Sequence, residues 1–180
     1  RYPGHAQVLS YLEEFADAFS IRQLIRFNTK VVQAVHEDRW LLTIDGENGS
    51  VTEVFDALTV CNGHYTEPRV PDIPGSDHFP AHCVHSHNYR SPDGFAGMQV
   101  AIVGTASSGA DLSQEIAVAA ERVYWCGSDK AARSKKTEHL KNVTSSGPIR
   151  RLMDDGRIEL EDQTLIGPVD SLVFATGYHY

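Results

Sequence analysis

Val100-Ala101-Ile102-Val103-Gly104-Thr105-Ala106-Ser107-Ser108-Gly109 decides the fold of this 180-residue chain. Four apolar residues run into a glycine turn, and an amphipathic stretch over 110–120 follows. Strand, glycine turn and helix in that order form the layout of a dinucleotide-binding βα unit. Gly104 lets the chain turn tightly, a small residue at 106 lets the backbone approach a pyrophosphate, and Gly109 lets the helix pack close to the strand. The helix N-terminus then offers N–H groups and a positive dipole end to the phosphates. Gly104, Thr105, Ala106, Ser107, Ser108 and Gly109 are therefore candidate cofactor-binding residues. Glycine turns between strand and helix also serve purely structural ends, and position 106 is alanine where the motif has glycine.

Working outward, 122–126 reads as the second strand of the βαβ unit. Residues 130–147 are polar and rich in Lys and Ser, which predicts a surface loop. Short strands are expected at 158–160, 164–166 and 171–174. Upstream, Pro68, Pro71, Pro74, Pro80 and Gly75 crowd into 67–80, a linker by composition. Earlier still, Val8, Leu9, Leu12, Phe15, Ala16 and Phe19 recur at helical spacing and predict a helix over 6–19. Apolar runs at 24–27, 30–36, 39–44 and 51–60, with turn signals at Asp45-Gly46 and Asn48-Gly49, predict an antiparallel meander ending in an apolar strand.

An internal echo adds to this. Phe55-Asp56-Ala57-Leu58-Thr59-Val60-Cys61-Asn62-Gly63 and Val169-Asp170-Ser171-Leu172-Val173-Phe174-Ala175-Thr176-Gly177 share one pattern: Asp, a small residue, Leu, an apolar run, a small polar residue and Gly. The fold expected is α/β, with two related dinucleotide-binding (Rossmann-like) units, the first incomplete and containing the helix and the antiparallel β-meander. The second unit carries its glycine loop at 104–109, and none precedes Cys61. On this reading the chain is a fragment that begins inside the first unit. The expected domains are 1–66, the linker 67–80, and 81–180.

Hydrophobic residues make up 41% of the chain, enough for an ordinary core, and the net charge is −8. That balance argues against nucleic acid and anionic membranes as main partners. No apolar run approaches the length of a membrane span. Cys61, Cys83 and Cys126 form no CxxC pair and read as buried, reduced thiols of a cytoplasmic protein. His78, His82, His85 and His87 cluster without a convergent carboxylate or cysteine set, which disfavours a metal.

Four segments together resemble the flavin-containing monooxygenases, across nearly the whole chain. Phe79-Pro80-Ala81-His82-Cys83-Val84-His85-Ser86-His87-Asn88-Tyr89 is similar to the family signature FxGxxxHxxx(Y/W), with Ala81 in place of the glycine. Gly104 to Asp111 resembles its NADPH loop GxGxSGxD, with Ala106 for the middle glycine. Phe174-Ala175-Thr176-Gly177-Tyr178 is similar to its ATGY segment, and Cys61-Asn62-Gly63-His64-Tyr65 to the segment closing its flavin domain. The resemblance implies FAD and NADPH as cofactors, adds Asn62, Gly63, His64, Thr176 and Gly177 to the cofactor-binding set, and gives the signature a part in aligning NADPH with flavin. It implies oxygenation of small nitrogen or sulfur nucleophiles by molecular oxygen through a flavin hydroperoxide, with no catalytic side chain of the protein required. Tyr89-Arg90 departs from the Baeyer–Villiger relatives, whose signature ends in Trp followed by Pro or Asp; they are the enzymatic alternative. A nucleotide-binding fragment without activity is the other.

After the second strand the family commonly places an arginine for the coenzyme 2′-phosphate. Here Gly127-Ser128-Asp129-Lys130 follows. Ser128 suits either coenzyme, Asp129 suits the free ribose hydroxyls of NADH, and Lys130 or Arg133 suits a phosphate. A solvated turn is the bland alternative.

Overall fold

The computed structural model describes residues 3–46 and 49–179, with backbone only at 130, 132 and 133. It divides into two units, Arg1–Cys61 and Asn62–Tyr180.

The first unit opens with α1, His5–Ala18, whose apolar stripe has no buried residue: Val8, Leu9, Leu12 and Phe15 are all exposed. Strands β1 (Lys30–His36), β2 (Trp40–Gly46) and β3 (Gly49–Phe55) form the expected meander, with β2 in the centre. Register runs from Lys30 opposite Asp45 to His36 opposite Trp40, and from Trp40 opposite Phe55 to Gly46 opposite Gly49. Leu42 and Ile44 on the central strand are buried, as the position between two neighbours dictates. One expected strand, 24–27, does not form, and the expected 51–60 strand ends early, at Phe55. Residues 24–27 continue from a 3-10 turn at Arg22–Leu24 with Leu24, Ile25 and Phe27 exposed, and 57–60 is irregular after β3 ends. A strand needs a neighbour for its backbone groups, and among the described residues none pairs with either run. The echo at 55–63 therefore matches in sequence but not in secondary structure.

The second unit is built on a five-stranded parallel sheet. Its strands are β5 (His82–His85), β6 (Gln99–Val103), β7 (Arg122–Cys126), β8 (Val143–Ser146) and β12 (Ser171–Phe174), in the order β5-β12-β6-β7-β8. Helices α2 (Ser107–Ile116) and α3 (Lys130–Thr137) make the crossovers from β6 to β7 and from β7 to β8. A small antiparallel sheet of β9 (Ile149–Leu152), β10 (Ile158–Leu160) and β11 (Leu165–Ile166) lies between β8 and β12 in sequence. Val100, Ile102, Val123, Trp125 and Val173 pack with Leu112 and Ile116 of α2. Ala101, Leu172 and Phe174 point to the opposite face and pack with Leu152, Ile158, Leu160 and Ile166. A sheet covered on both faces explains why β6 is apolar throughout instead of alternating.

Three expectations need correction. The stretch 130–147 is not a loop: it forms α3 and β8, because Lys, Ala and Arg are good helix formers whatever their polarity. The proline-rich stretch packs on the second unit. Short strands β4 (Glu67–Pro68) and β13 (Tyr178–His179) pair, Ile73 and Phe79 are core residues, and the Leu152 N–H donates to the Pro74 carbonyl at 2.8 Å. Of the three free cysteines only Cys126 is buried; Cys61 and Cys83 are exposed.

Candidate functional site

β6 leads through α2 to β7 on one side, while its other neighbour is β12. Strand order reverses between β6 and β12, and in open α/β sheets the crevice beyond the strand C-termini at such a point is where ligands bind. An open cleft of about 550 Å³ lies there, lined by Arg69, Gly104, Thr105, Ala106, Ala175, Thr176, Gly177 and Tyr178.

The turn after β6 is held from behind. Gly104 has φ +127°, a conformation that favours glycine, and a Cβ there would lie 2.7 Å from the Ala175 carbonyl carbon. The Trp125 indole N–H donates to the Gly104 carbonyl at 2.7 Å, and the Gly104 N–H donates to Cys126. A Cβ on Gly109 would sit 3.0 Å from the Gly104 carbonyl carbon and 3.1 Å from Trp125 Nε1, so only glycine lets α2 come this close. Ala106 is the N-cap of α2 and provides no side-chain hydrogen bond to the first turn. The leading N–H groups of a helix have no intrahelical partner, and at this end, where Ala106 lines the cleft, no N-cap side chain satisfies them.

On the other wall, Arg69 and Thr176 are doubly joined. Arg69 donates through Nε and a terminal nitrogen to the Thr176 carbonyl, at 3.1 and 2.9 Å, and the Thr176 hydroxyl donates back to the Arg69 carbonyl. The Arg69 N–H donates to the Gly177 carbonyl at 2.9 Å. Gly177 has φ +79° with open space around it.

Tyr178 gathers rings at the cleft edge. His85 and His87 meet it edge-on at 5.3 and 5.8 Å, Tyr65 lies 4.9 Å away, and His64 lies 4.2 Å from Tyr65. His85 is only 5% exposed. Its Nδ1 accepts the His87 N–H at 3.1 Å, so the neutral ring carries its proton on Nε2, a buried donor with no hydrogen bond of normal geometry among the described residues. Burial pushes the His85 imidazole below its usual range; the Gly177 backbone opposes this and the neighbouring His87 adds to it. Tyr89 stacks on Phe95 at 6.0 Å; burial raises its phenol to about 12, with Glu115 and Asp93 contributing, so it stays protonated.

The cleft thus brings together Gly104, Thr105, Ala106, Thr176 and Gly177 of the residues singled out in sequence, with Gly109 behind them. Ser107 and Ser108 are exposed in the first turn of α2, and His64 joins through Tyr65. Asn62, Gly63 and Ser128 do not line it. The side chains of Lys130 and Arg133 lie outside the described residues. Arg69, Ala175 and Tyr178 were missed as cleft residues; Arg69 sits in a stretch whose prolines read as linker. Among the described residues no group of three or more His, Cys, Asp or Glu comes together to hold a metal, and no helix is long and apolar enough to cross a membrane.

A parallel sheet whose switch point opens a cleft between a glycine turn and an arginine-stapled loop defines a mixed α/β protein with an open crevice at the strand C-termini. The chain belongs to the flavin-binding monooxygenase-like family, whose profile matches residues 1–134. The flavin-containing monooxygenase FMO GS-OX5 of Arabidopsis thaliana is 39% identical over 183 residues, taking in all of this chain and 40% of that protein. FMO GS-OX3 of the same plant is 38% identical over 185 residues. Among solved structures, S-allyl-L-cysteine S-oxygenase from Allium sativum is 35% identical with a TM-score of 0.85, covering 100% of this chain and 42% of its own. A flavin-containing monooxygenase from Stenotrophomonas maltophilia shares the fold at a TM-score of 0.77 and 22% identity, covering 99% of this chain and 58% of its own. The chain spans about two-fifths of the length of the curated relatives it matches.

Proposed function

We propose that the second unit binds the nicotinamide coenzyme, NADPH or NADH, of a flavoprotein monooxygenase that oxygenates small sulfur or nitrogen nucleophiles. The observation that carries this is the Gly104–Gly109 turn: it opens an uncapped helix N-terminus onto a cleft at the sheet's switch point. The fit is chemical. Helix N–H groups and a guanidinium suit a pyrophosphate, and the cleft volume falls within the range of small-molecule sites. Gly104, Thr105, Ala106, Ser107 and Ser108 would hold the phosphates, with Thr176 and Gly177 across the cleft. We assign the first unit to the end of the flavin-binding part and place FAD there by family membership alone, since its described residues contain no strand, glycine turn and helix in that order.

When bound, the coenzyme supplies hydride to the flavin, which then activates dioxygen. The protein's own part is to bind, orient and exclude water. Sulfur is favoured over nitrogen as the substrate atom by the likeness to the Allium sativum S-oxygenase. The Baeyer–Villiger alternative has only fold-level support, a cyclohexanone monooxygenase at 16% identity and a TM-score of 0.69. Titration of the chain with NADPH and NADH by calorimetry tests the coenzyme reading, and saturable binding of neither would contradict it. In the whole protein, coenzyme oxidation matched by S-oxide formation from an alkyl cysteine tests the substrate class.

A further inference from the structure

Resting on that reading of the cleft, we propose that Arg69 is its second anion anchor, engaging the coenzyme pyrophosphate from the wall opposite the α2 N-terminus. Among the described residues lining the cleft it is the one cation. Its backbone is fixed on both sides: the N–H is bonded to Gly177 and the carbonyl accepts from the Thr176 hydroxyl. Nε and one terminal nitrogen share the Thr176 carbonyl, which orients the guanidinium plane. All of these acceptors are neutral carbonyls. Among the described residues no carboxylate lies within ion-pair distance, although six other arginines have such a partner. No carboxylate therefore offsets the Arg69 guanidinium among the described residues, and its second terminal nitrogen makes no protein hydrogen bond there.

The charge balance of the ligand supports the assignment. A pyrophosphate diester carries two negative charges, while a helix N-terminus contributes only about half a positive charge. A planar fork held at the cleft supplies the rest in a geometry suited to paired phosphate oxygens. A residue that merely stapled β4 to the 176–177 loop would not need to be charged, or to face a cleft with no counter-ion.

The test is calorimetric titration of the chain with NADPH and with NADH, each at low and high salt, for the native protein, Arg69→Ala and Arg69→Lys. Folding of each variant is checked by circular dichroism. Arg69→Ala should weaken both coenzymes by about 10- to 100-fold, the range for a lost charge-assisted hydrogen bond. The NADPH-to-NADH affinity ratio should stay the same, and binding should become less sensitive to ionic strength, because one screened charge pair is gone. Arg69→Lys should retain the salt sensitivity while losing part of the affinity. Unchanged affinity, a loss confined to NADPH, or a loss with native salt sensitivity would each overturn the proposal; the last would leave only a staple. If Arg69→Ala does not fold, full affinity in Arg69→Lys overturns it. Should the native chain bind neither coenzyme, the coenzyme reading fails, and inorganic pyrophosphate decides the anchor alone. Saturable binding that is weakened in Arg69→Lys upholds it, and no binding to the native chain overturns it.

Discussion

Gly109→Ala adds a single methyl group where the structure has no room for one. The new Cβ would meet the carbonyl oxygen of Gly104 well inside van der Waals contact, with the carbonyl carbon at 3.0 Å and Trp125 Nε1 at 3.1 Å. These are the two groups joined by the 2.7 Å indole hydrogen bond. Relief requires α2 to move off β6 or the indole to swing away from the carbonyl. Overpacking of this kind costs about 1–3 kcal/mol. A buried donor and acceptor left apart cost a further 1–3 kcal/mol or so. Alanine recovers up to about 1 kcal/mol through its better helix propensity. The expected net loss is roughly 1–5 kcal/mol, read as a fall in the denaturant midpoint of the second unit. Near-ultraviolet circular dichroism reports the Trp125 environment in the same samples. Gly94→Ala is the control, because nothing lies within 4 Å of a Cβ there; it should change stability by no more than about 0.5 kcal/mol. If Gly109→Ala is as stable as Gly94→Ala and keeps the native Trp125 signal, the close approach of helix and turn is not what holds this loop.

Two other outcomes follow from the site. His85 has its folded pKa below the ordinary 6.5 because of burial, so the unfolded chain takes up its proton first as pH falls. Native stability should therefore decline below about pH 6.5, and in His85→Gln this part of the decline should vanish; equal slopes in urea titrations would show that His85 is not held neutral. Asp129 follows β7 with φ +53°, and a carboxylate there opposes a 2′-phosphate. Neither coenzyme should be preferred by more than about tenfold, near 1.4 kcal/mol, and Asp129→Ala should shift the calorimetric affinity ratio toward NADPH. A strong native preference for NADPH would count against this.

The β6-α2-β7 unit was legible because its signals reinforce each other: a run of apolar residues buried on both faces, then a glycine where any Cβ would run into Ala175. β5 was hidden because histidines at both of its ends mask any alternation, although it fills the edge of the parallel sheet. α3 and β8 were read as loop because their composition is polar, and polarity does not set backbone conformation: the β8 residues Ser145 and Ser146 are buried in the sheet. The run at 24–27 and the end of the run at 51–60 erred in the other direction, since an apolar stretch signals burial or pairing without naming the partner. At the site, local spacing revealed the glycine wall of the cleft. The Arg69 wall depends on bonds between residues 107 positions apart in sequence, and no local pattern carries that information.

The central claim is that the Gly104–Gly109 turn at the sheet's switch point is a nicotinamide dinucleotide site. The most direct measurement is a backbone amide chemical-shift titration of the ¹⁵N-labelled chain with NADP⁺, at 19.9 kDa a tractable size. Saturable shifts should centre on the amides of Gly104 to Gly109, with a second group at Arg69 and Thr176 to Tyr178, while the β1–β3 meander stays unperturbed. Saturable shifts confined to other residues, or none at millimolar coenzyme, would contradict it.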